Sequence, residues 1–161
     1  GSEMCKETGW ADLRDAAADA SPVWRLESGE LRRHGDQLLW LGAEWHTPWS
    51  SHEQPWAEVR RPLELPGNGV VSVLGEVPDG QLSIAYRHGG EVLDVPGRGR
   101  RDLKRLLQEA GVPEFIRPRL PLLRRDGQVV AVANLPLAPA LVELHWQFSP
   151  LVQPVTSRAL R

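Results

Sequence analysis

The segment from residue 96 to residue 111, PGRGRRDLKRLLQEAG, constrains the fold of this chain more than any other stretch. Its apolar residues recur at the spacing of a single helical face: Leu103, Leu106, Leu107 and Ala110. Successive residues of an α-helix are rotated by about 100°, so the residues between them point the opposite way. These are Arg101, Lys104, Arg105 and Gln108. The pattern predicts a helix over about 101–110 with one packed face and one basic face.

Residues that interrupt helices mark both ends of this predicted helix. Gly97 and Gly99 precede it, while Gly111 and Pro113 follow it and are typical of a C-terminal cap and stop. The unpaired N–H groups of a helix N-terminus attract anions. We therefore expect the start of the helix to offer a seat for a phosphate.

The basic face, together with Arg98 and Arg100 on the glycine loop, suits a polyanion. A solvated charged face on a helix that packs against a core is the alternative interpretation. The net charge is −2, yet residues 96–125 hold 9 Lys/Arg against 3 Asp/Glu. Residues 1–95 hold 8 against 16, and residues 126–161 hold 2 against 2. Because exposed charges act over a Debye length of ~8 Å at physiological salt, this local excess matters more than the total.

The second half of the chain is rich in strand patterns. Candidate strands lie at residues 63–65, 70–74, 81–87, 91–95, 120–124, 128–133 and 141–148, separated by glycine-containing turns. A shorter helix is expected near Pro113 to Arg117. We predict an α+β fold in which antiparallel strands dominate.

The first part of the chain is expected to be the end of a domain that begins upstream. Residues 3–18 are compatible with a helix, and short extended segments follow at 23–27, 30–34 and 37–41. A helix and a small meander bury little surface by themselves. The next segment, residues 43–62, is predicted to be a linker or a strap whose tryptophans pack on a neighbouring surface; a platform for unpaired bases is the alternative.

Residues 89–137 resemble the carboxy-terminal domain of tRNA(Ile)-lysidine synthetase. The matching elements are, in order, Gly89-Gly90, the PGRG turn at 96–99, Leu103-Lys104 with the following Leu-Leu-Gln-Glu, Gly111-Val112-Pro113, Arg117, Arg119, Pro121-Leu122-Leu123 and the strand at 129–133. Each element is common by itself. Their occurrence together and in register makes the resemblance specific.

The resemblance implies a division of the chain. Residues 63–161 would form a carboxy-terminal tRNA-binding domain, a small antiparallel β-sandwich-like structure with one or two helices. Residues 1–42, a helix and a short β-meander fragment, would end the middle, substrate tRNA-binding domain, and residues 43–62 would be a Pro/Trp-rich linker. The family's terminal domain engages the acceptor-stem end of tRNA, which implies these tRNA-binding residues: Arg98, Arg100, Arg101, Lys104, Arg105, Arg117 and Arg119. For Arg119, pairing with a carboxylate to fix the proline-rich turn is an equal alternative.

The resemblance also implies the chemistry of the full-length enzyme. In the family, an amino-terminal PP-loop domain uses ATP and Mg to adenylate the wobble cytidine of tRNA(Ile), and lysine then displaces AMP to form lysidine. The Ser-Gly-Gly-x-Asp-Ser motif of that domain is absent from this chain, as are P-loop, GxSxG and HExxH motifs. We therefore expect no catalytic, cofactor or metal site in this fragment. Its expected partners are tRNA(Ile) and the amino-terminal PP-loop domain.

Two other classes of function stay open. The basic stripe could dock on the catalytic domain or on an acidic partner, which would make the chain a protein-interaction or structural module. A stand-alone enzyme is disfavoured by the missing motifs. The single cysteine, Cys5, excludes an intrachain disulfide, and no apolar run reaches the roughly 18 residues of a membrane span. Without a signal peptide either, the chain is expected to be a bacterial cytoplasmic protein with no membrane partner.

Overall fold

The computed structural model describes residues 11–16, 22–135, 137 and 142–148. The chain forms two compact units. The first contains the described residues up to Pro48 together with Phe148, and the second spans Trp49–Gln147.

The first unit is built around an antiparallel meander. A helical stretch at residues 11–15 (α1) precedes the strands β1 (Val23–Leu26), β2 (Gly29–His34) and β3 (Gln37–Gly42), and the 3₁₀ helix η1 (Ala43–His46) follows. The three strands agree with the predicted extended segments. The predicted helix over residues 3–18 lies mostly outside the described residues, as does Cys5.

A buried carboxylate stabilises this meander. The side chain of Glu30 is 1% exposed, accepts a hydrogen bond from Nε of Arg32 at 2.7 Å and lies 3.2 Å from Nε2 of His46. The guanidinium of Arg33 donates to the carbonyl oxygens of Arg14 and Ala16. Because a buried charge is costly unless it is paired, Glu30 and the residues that pair with it are best explained as structural groups.

The second unit consists mainly of short strands. They are β4 (Gln54–Pro55), β5 (Leu63–Glu64), β6 (Val70–Gly75), β7 (Leu82–Ala85), β8 (Val92–Val95), β9 (Gly99–Asp102), β10 (Leu122–Arg125), β11 (Gln128–Val132) and β12 (Val142–Gln147). The strand orders are β11-β10-β7-β4, β12-β6-β5 and β8-β9. The helices are α2 (Leu103–Glu109) and the 3₁₀ helix η2 (Arg117–Arg119).

The strand pairing confirms the prediction that antiparallel strands dominate the fold. Every strand pair among the described residues is antiparallel, and the helices there are short. Apolar side chains that alternate along the strands supply the core, including Val71, Ile84 and Leu123, which are each fully buried.

Several predicted boundaries are corrected. Residues 99–102 form strand β9, so α2 begins at Leu103 and Arg101 lies on a strand rather than on the helix. The helix expected near 113–117 is replaced by a turn and by η2 at Arg117–Arg119. Pro118 lies inside that 3₁₀ helix. Because proline has no backbone N–H and a fixed φ, an α-helix that began near residue 113 could not continue through it.

Residues 49–62 fold as part of the second unit. Gln54–Pro55 pairs with β7, and the backbone N–H of Trp56 donates to the carbonyl of Leu82 at 2.9 Å. The side chain of Trp56 is buried, and the ring of Trp49 meets Tyr86 edge-on with centroids 5.0 Å apart. These tryptophans pack in the protein rather than presenting open faces to unpaired bases.

One buried polar network joins distant parts of the second unit. Asn68 is fully buried, and its side-chain nitrogen donates to the hydroxyl of Tyr86 at 3.2 Å and to the carbonyl of Arg119 at 2.9 Å. The indole N–H of Trp146 donates to the carbonyl of Asn68 at 2.7 Å. Burial raises the pKa of the Tyr86 phenol, which therefore accepts the Asn68 hydrogen bond in its neutral form.

Candidate nucleic-acid interface

A β-hairpin that runs directly into a helix positions most of the predicted site. β8 and β9 pair in the register Val92↔Asp102, Leu93↔Arg101, Asp94↔Arg100 and Val95↔Gly99, and the N–H of Arg98 closes the turn on the carbonyl of Val95. Leu93 and Val95 are buried, whereas Val92 and Asp94 are exposed. Since side chains alternate along a strand, Arg100 lies on the outer face with Asp94 and Arg101 lies on the opposite face.

The predicted helical stripe is confirmed at three of its four positions. Leu103, Leu106 and Leu107 are buried in the core, and Lys104 is exposed with its neighbour Arg105. The fourth position, Ala110, is exposed because the helix ends at Glu109. The packed face fixes the helix, so the basic face stays at the surface.

Four cations of this region form what we call the basic strip: Arg100, Arg101, Lys104 and Arg105. All four are exposed. Within the described part of the chain, their side chains make no hydrogen bond or ion pair. The strip is thus a local concentration of positive charge that is available to an anionic ligand.

Arg98 lies next to the strip but is already engaged. Its Nη2 is 3.2 Å from Oε2 of Glu109, and both side chains are about half exposed. The pair ties the hairpin turn to the end of α2. An exposed ion pair of this kind contributes little to stability, about 0–1 kcal/mol, but it partly neutralises Arg98.

Arg117 and Arg119 are placed inside the fold. Their exposed fractions are 7% and 5%. Nε of Arg117 donates to the carbonyl of Val112 at 2.9 Å, and burial lowers the pKa of both guanidinium groups. We therefore leave both residues out of the proposed contact surface, because a buried guanidinium cannot reach a phosphate in solution.

Among the described residues, Arg119 contacts an aromatic ring and neutral oxygens. Its guanidinium carbon lies 5.2 Å from the centre of the Trp49 ring. Nη1 donates to the carbonyl of Gly67 at 3.1 Å and lies 3.4 Å from Oδ1 of Asn68. The side chain joins the buried network around Asn68 and fixes the adjacent turn.

The expected phosphate seat at the start of α2 is occupied by the protein itself. Asp102 is the N-cap residue, and its carboxylate accepts the backbone N–H of Arg105 at 3.3 Å. A carboxylate in this position satisfies an unpaired N–H and complements the positive end of the helix. It also repels a second anion, so binding of a polyanion at this site has to rely on side chains.

This cap gives a stability prediction. Asp102→Ala is expected to lower the free energy of unfolding by about 1 kcal/mol, because the N-terminal N–H of α2 loses its acceptor. Asp102→Ser keeps a capping oxygen and should lower the free energy of unfolding by only about 0.3 kcal/mol. Urea titrations of the two variants decide the matter: equal losses would show that the cap does not stabilise the helix.

Sequence reasoning missed one neighbour of the strip. Asp94 lies directly opposite Arg100 across the hairpin, so the two opposite charges share one face. The signal was present in the sequence, since a hairpin centred on the 96–98 turn brings residues 94 and 100 together. The pairing of residues 94 and 100 was not predicted, because residues 96–111 were interpreted as a glycine loop followed by a helix.

The described residues lack two further features. They contain no group of three or more His, Cys, Asp or Glu side chains that could hold a metal ion. In the same part of the chain, no helix has the length and apolar character needed to cross a membrane.

The segment that contains the hairpin and the helix matches a known family. Residues 82–146 match the family model described as the TilS substrate C-terminal domain, and this segment belongs to that family. The chain is also similar to proteins named tRNA(Ile)-lysidine synthase, which confirms the resemblance seen in the sequence.

Three of these relatives show the extent of the similarity. The protein of Pseudomonas aeruginosa is 55% identical over 88% of this chain, and that of Pseudomonas putida is 55% identical over 86%. The protein of Escherichia coli O157:H7 is 36% identical over 78%. The matches cover 31%, 33% and 30% of these relatives, so the chain spans about a third of their length.

Proposed function

We propose that this chain is the tRNA-binding carboxy-terminal region of a tRNA(Ile)-lysidine synthase. The basic strip would contact the phosphate backbone of the tRNA. The observation that carries this proposal is the presence of four exposed cations on one continuous piece of backbone, with no ion pair among the described residues to neutralise them. Exposed lysine and arginine side chains bind nucleic acid because neutralising phosphates releases condensed counterions.

The strip is positioned firmly enough for this role. Arg100 and Arg101 lie on a strand paired to β8, and Lys104 and Arg105 lie on a helix whose other face is buried. Arg98 is at the edge of the surface, where binding would require competition with Glu109. Of the residues first considered, the proposal retains these five: Arg98, Arg100, Arg101, Lys104 and Arg105.

The proposal extends to the protein of which the chain is a part. The relatives are named tRNA(Ile)-lysidine synthases, so we infer that the complete protein ligates lysine to the wobble cytidine of tRNA(Ile) with ATP and Mg. The PP-loop motif of that reaction is absent from this sequence, and we assign neither ATP nor Mg to its residues. On this proposal the chain holds tRNA(Ile), adjoins the PP-loop domain, acts in the bacterial cytoplasm and is inactive alone.

The same proposal assigns the two compact units. The second unit would be the carboxy-terminal domain, with its two larger sheets packed as a small β-sandwich. The first unit would be the end of the middle, tRNA-binding domain. This assignment is supported by the family match, which lies entirely within the second unit.

A charge-removal experiment tests the proposal. Lys104→Ala combined with Arg105→Ala should weaken binding of the 161-residue chain to tRNA(Ile) by about tenfold at low salt. The slope of log affinity against log salt should fall by about one to two, because up to two phosphate contacts are lost. Filter binding at several salt concentrations measures both quantities.

Arg60→Ala is the matched control, because Arg60 is exposed and far from the strip in sequence. It should leave affinity and salt slope nearly unchanged. If the double variant binds tRNA as tightly as the parent chain, the strip is not the contact surface. If the parent chain retains no tRNA but binds the isolated PP-loop domain in a salt-dependent manner, the docking-module interpretation replaces this proposal.

A further inference from the structure

The outer face of the β8–β9 hairpin borders a groove that lies beside the basic strip and shares only Arg100 with it. The groove has a volume of about 350 Å³ and lies between this hairpin and the β10–β11 hairpin. Side chains that line it include Val92, Asp94, Arg100, Gln128 and Val129. Its size is within the range of small-ligand sites, roughly 300–1,000 Å³.

Two charged groups of the groove already have partners and therefore shape it. Glu91 accepts the backbone N–H groups of His88 and Gly89. Although burial opposes its ionisation, these N–H groups outweigh that effect and lower the pKa of the Glu91 carboxyl. Arg124 donates to the carbonyl of Gly127 and pairs with Glu53 at 3.0 Å.

The remaining groups define the chemistry of a ligand. Arg100 and Asp94 face each other across the hairpin, and within the described residues neither side chain has a hydrogen-bond partner. A simple anion would be repelled by Asp94, and a simple cation would be repelled by Arg100. The ligand that satisfies both has a negative end and a hydrogen-bond-donating end, with an apolar surface for Val92 and Val129.

We propose that this groove receives one unpaired nucleotide of the RNA bound by the basic strip, with a base that carries an amino group. This inference rests on the proposed function. Arg100 belongs to both sites, so a phosphate held by the strip places the next nucleotide at the groove. Arg100 contacts the phosphate, Asp94 accepts the exocyclic amino group of the base, and Val92 and Val129 line its faces. Uracil has a carbonyl oxygen in place of that amino group, so it lacks this donor and its oxygen is repelled by the carboxylate, which weakens its binding.

RNA hairpins with and without tails test the inference on the 161-residue chain. Five probes share one stem: a blunt hairpin, two hairpins with four cytidines added at the 3′ or at the 5′ end, and two with four uridines added at the 3′ or at the 5′ end. The cytidine-tailed RNA should bind about tenfold more tightly than the blunt one, which corresponds to one good base contact. The uridine-tailed RNA should gain much less, about twofold, from its added phosphates.

Asp94→Asn is the decisive variant, because it removes the carboxylate and adds an amide donor that suits uracil. It should abolish the preference for the cytidine tail. Asp79→Asn is the matched control, since it removes an exposed carboxylate elsewhere and should leave that preference intact. Melting curves confirm that both variants fold.

The outcomes separate the groove from the strip. Equal affinity for blunt and cytidine-tailed RNA at both ends overturns the groove inference and leaves the strip intact. A tail preference that persists in Asp94→Asn also overturns it. Absence of salt-dependent binding to every probe overturns the proposed function itself.

Discussion

Replacing Arg119 by methionine is expected to lower the free energy of unfolding by about 2–3 kcal/mol while leaving the salt slope of tRNA binding unchanged. The side chain is buried over Trp49 and donates to Gly67, so its loss removes a cation–π contact and a hydrogen bond to the neutral network. Oδ1 of Asn68 also loses a neighbour at 3.4 Å in a fully buried site. Thermal unfolding and filter binding below the transition measure the two effects.

Arg125→Met is the matched control, because Arg125 is exposed at the end of β10. It should change stability by less than about 0.5 kcal/mol. The opposite pattern for Arg119→Met, with stability kept and the salt slope reduced by about one, would show that this arginine contacts a phosphate. The assignment of Arg119 to the interior would then have to be abandoned.

The other large effect is expected at the packed face of α2. Leu107→Ala should destabilise the protein by about 3 kcal/mol, since Leu107 is almost fully buried and the cavity left behind adds to the lost transfer free energy. Gln108→Ala, at the next position on the exposed face, should be within about 0.5 kcal/mol of the parent chain. Urea unfolding of the two variants makes the comparison.

A loss at Leu107→Ala no larger than that at Gln108→Ala would mean that α2 does not depend on its apolar stripe. The basic strip would then have no rigid support. If the expected loss is found, tRNA affinity of the folded fraction should change little, because the cations themselves remain.

Parts of the fold that arise from local patterns could be predicted from the sequence. The burial of Leu103, Leu106 and Leu107 follows from helical periodicity, and the meander of the first unit follows from short alternating segments between turns. Strand β9 could not be predicted in this way. It has no apolar residue, and its extended state results from pairing with β8 rather than from its own sequence.

The candidate site, like the fold, could be predicted from the sequence only where local patterns determine it. Two cations of the strip, Lys104 and Arg105, are exposed because their helix has a clear packed face. The burial of Arg119 depends on Gly67, which lies 52 residues away in the sequence, and on the ring of Trp49. No local sequence pattern indicates such contacts. The sequence alone therefore allowed Arg119 to be either a buried structural residue or a residue that contacts RNA.

Asp102 has a consequence for selectivity if the strip holds RNA. It is both the last residue of β9 and the cap of α2, so no loop separates the strand from the helix. Ordering a flexible backbone costs about 1–2 kcal/mol per residue. A ligand that binds the β9–α2 segment, which has no intervening loop, avoids that cost. The same rigidity prevents the support from adjusting to a different distance between charges, so the shape of the polyanion and not only its charge density would determine its affinity.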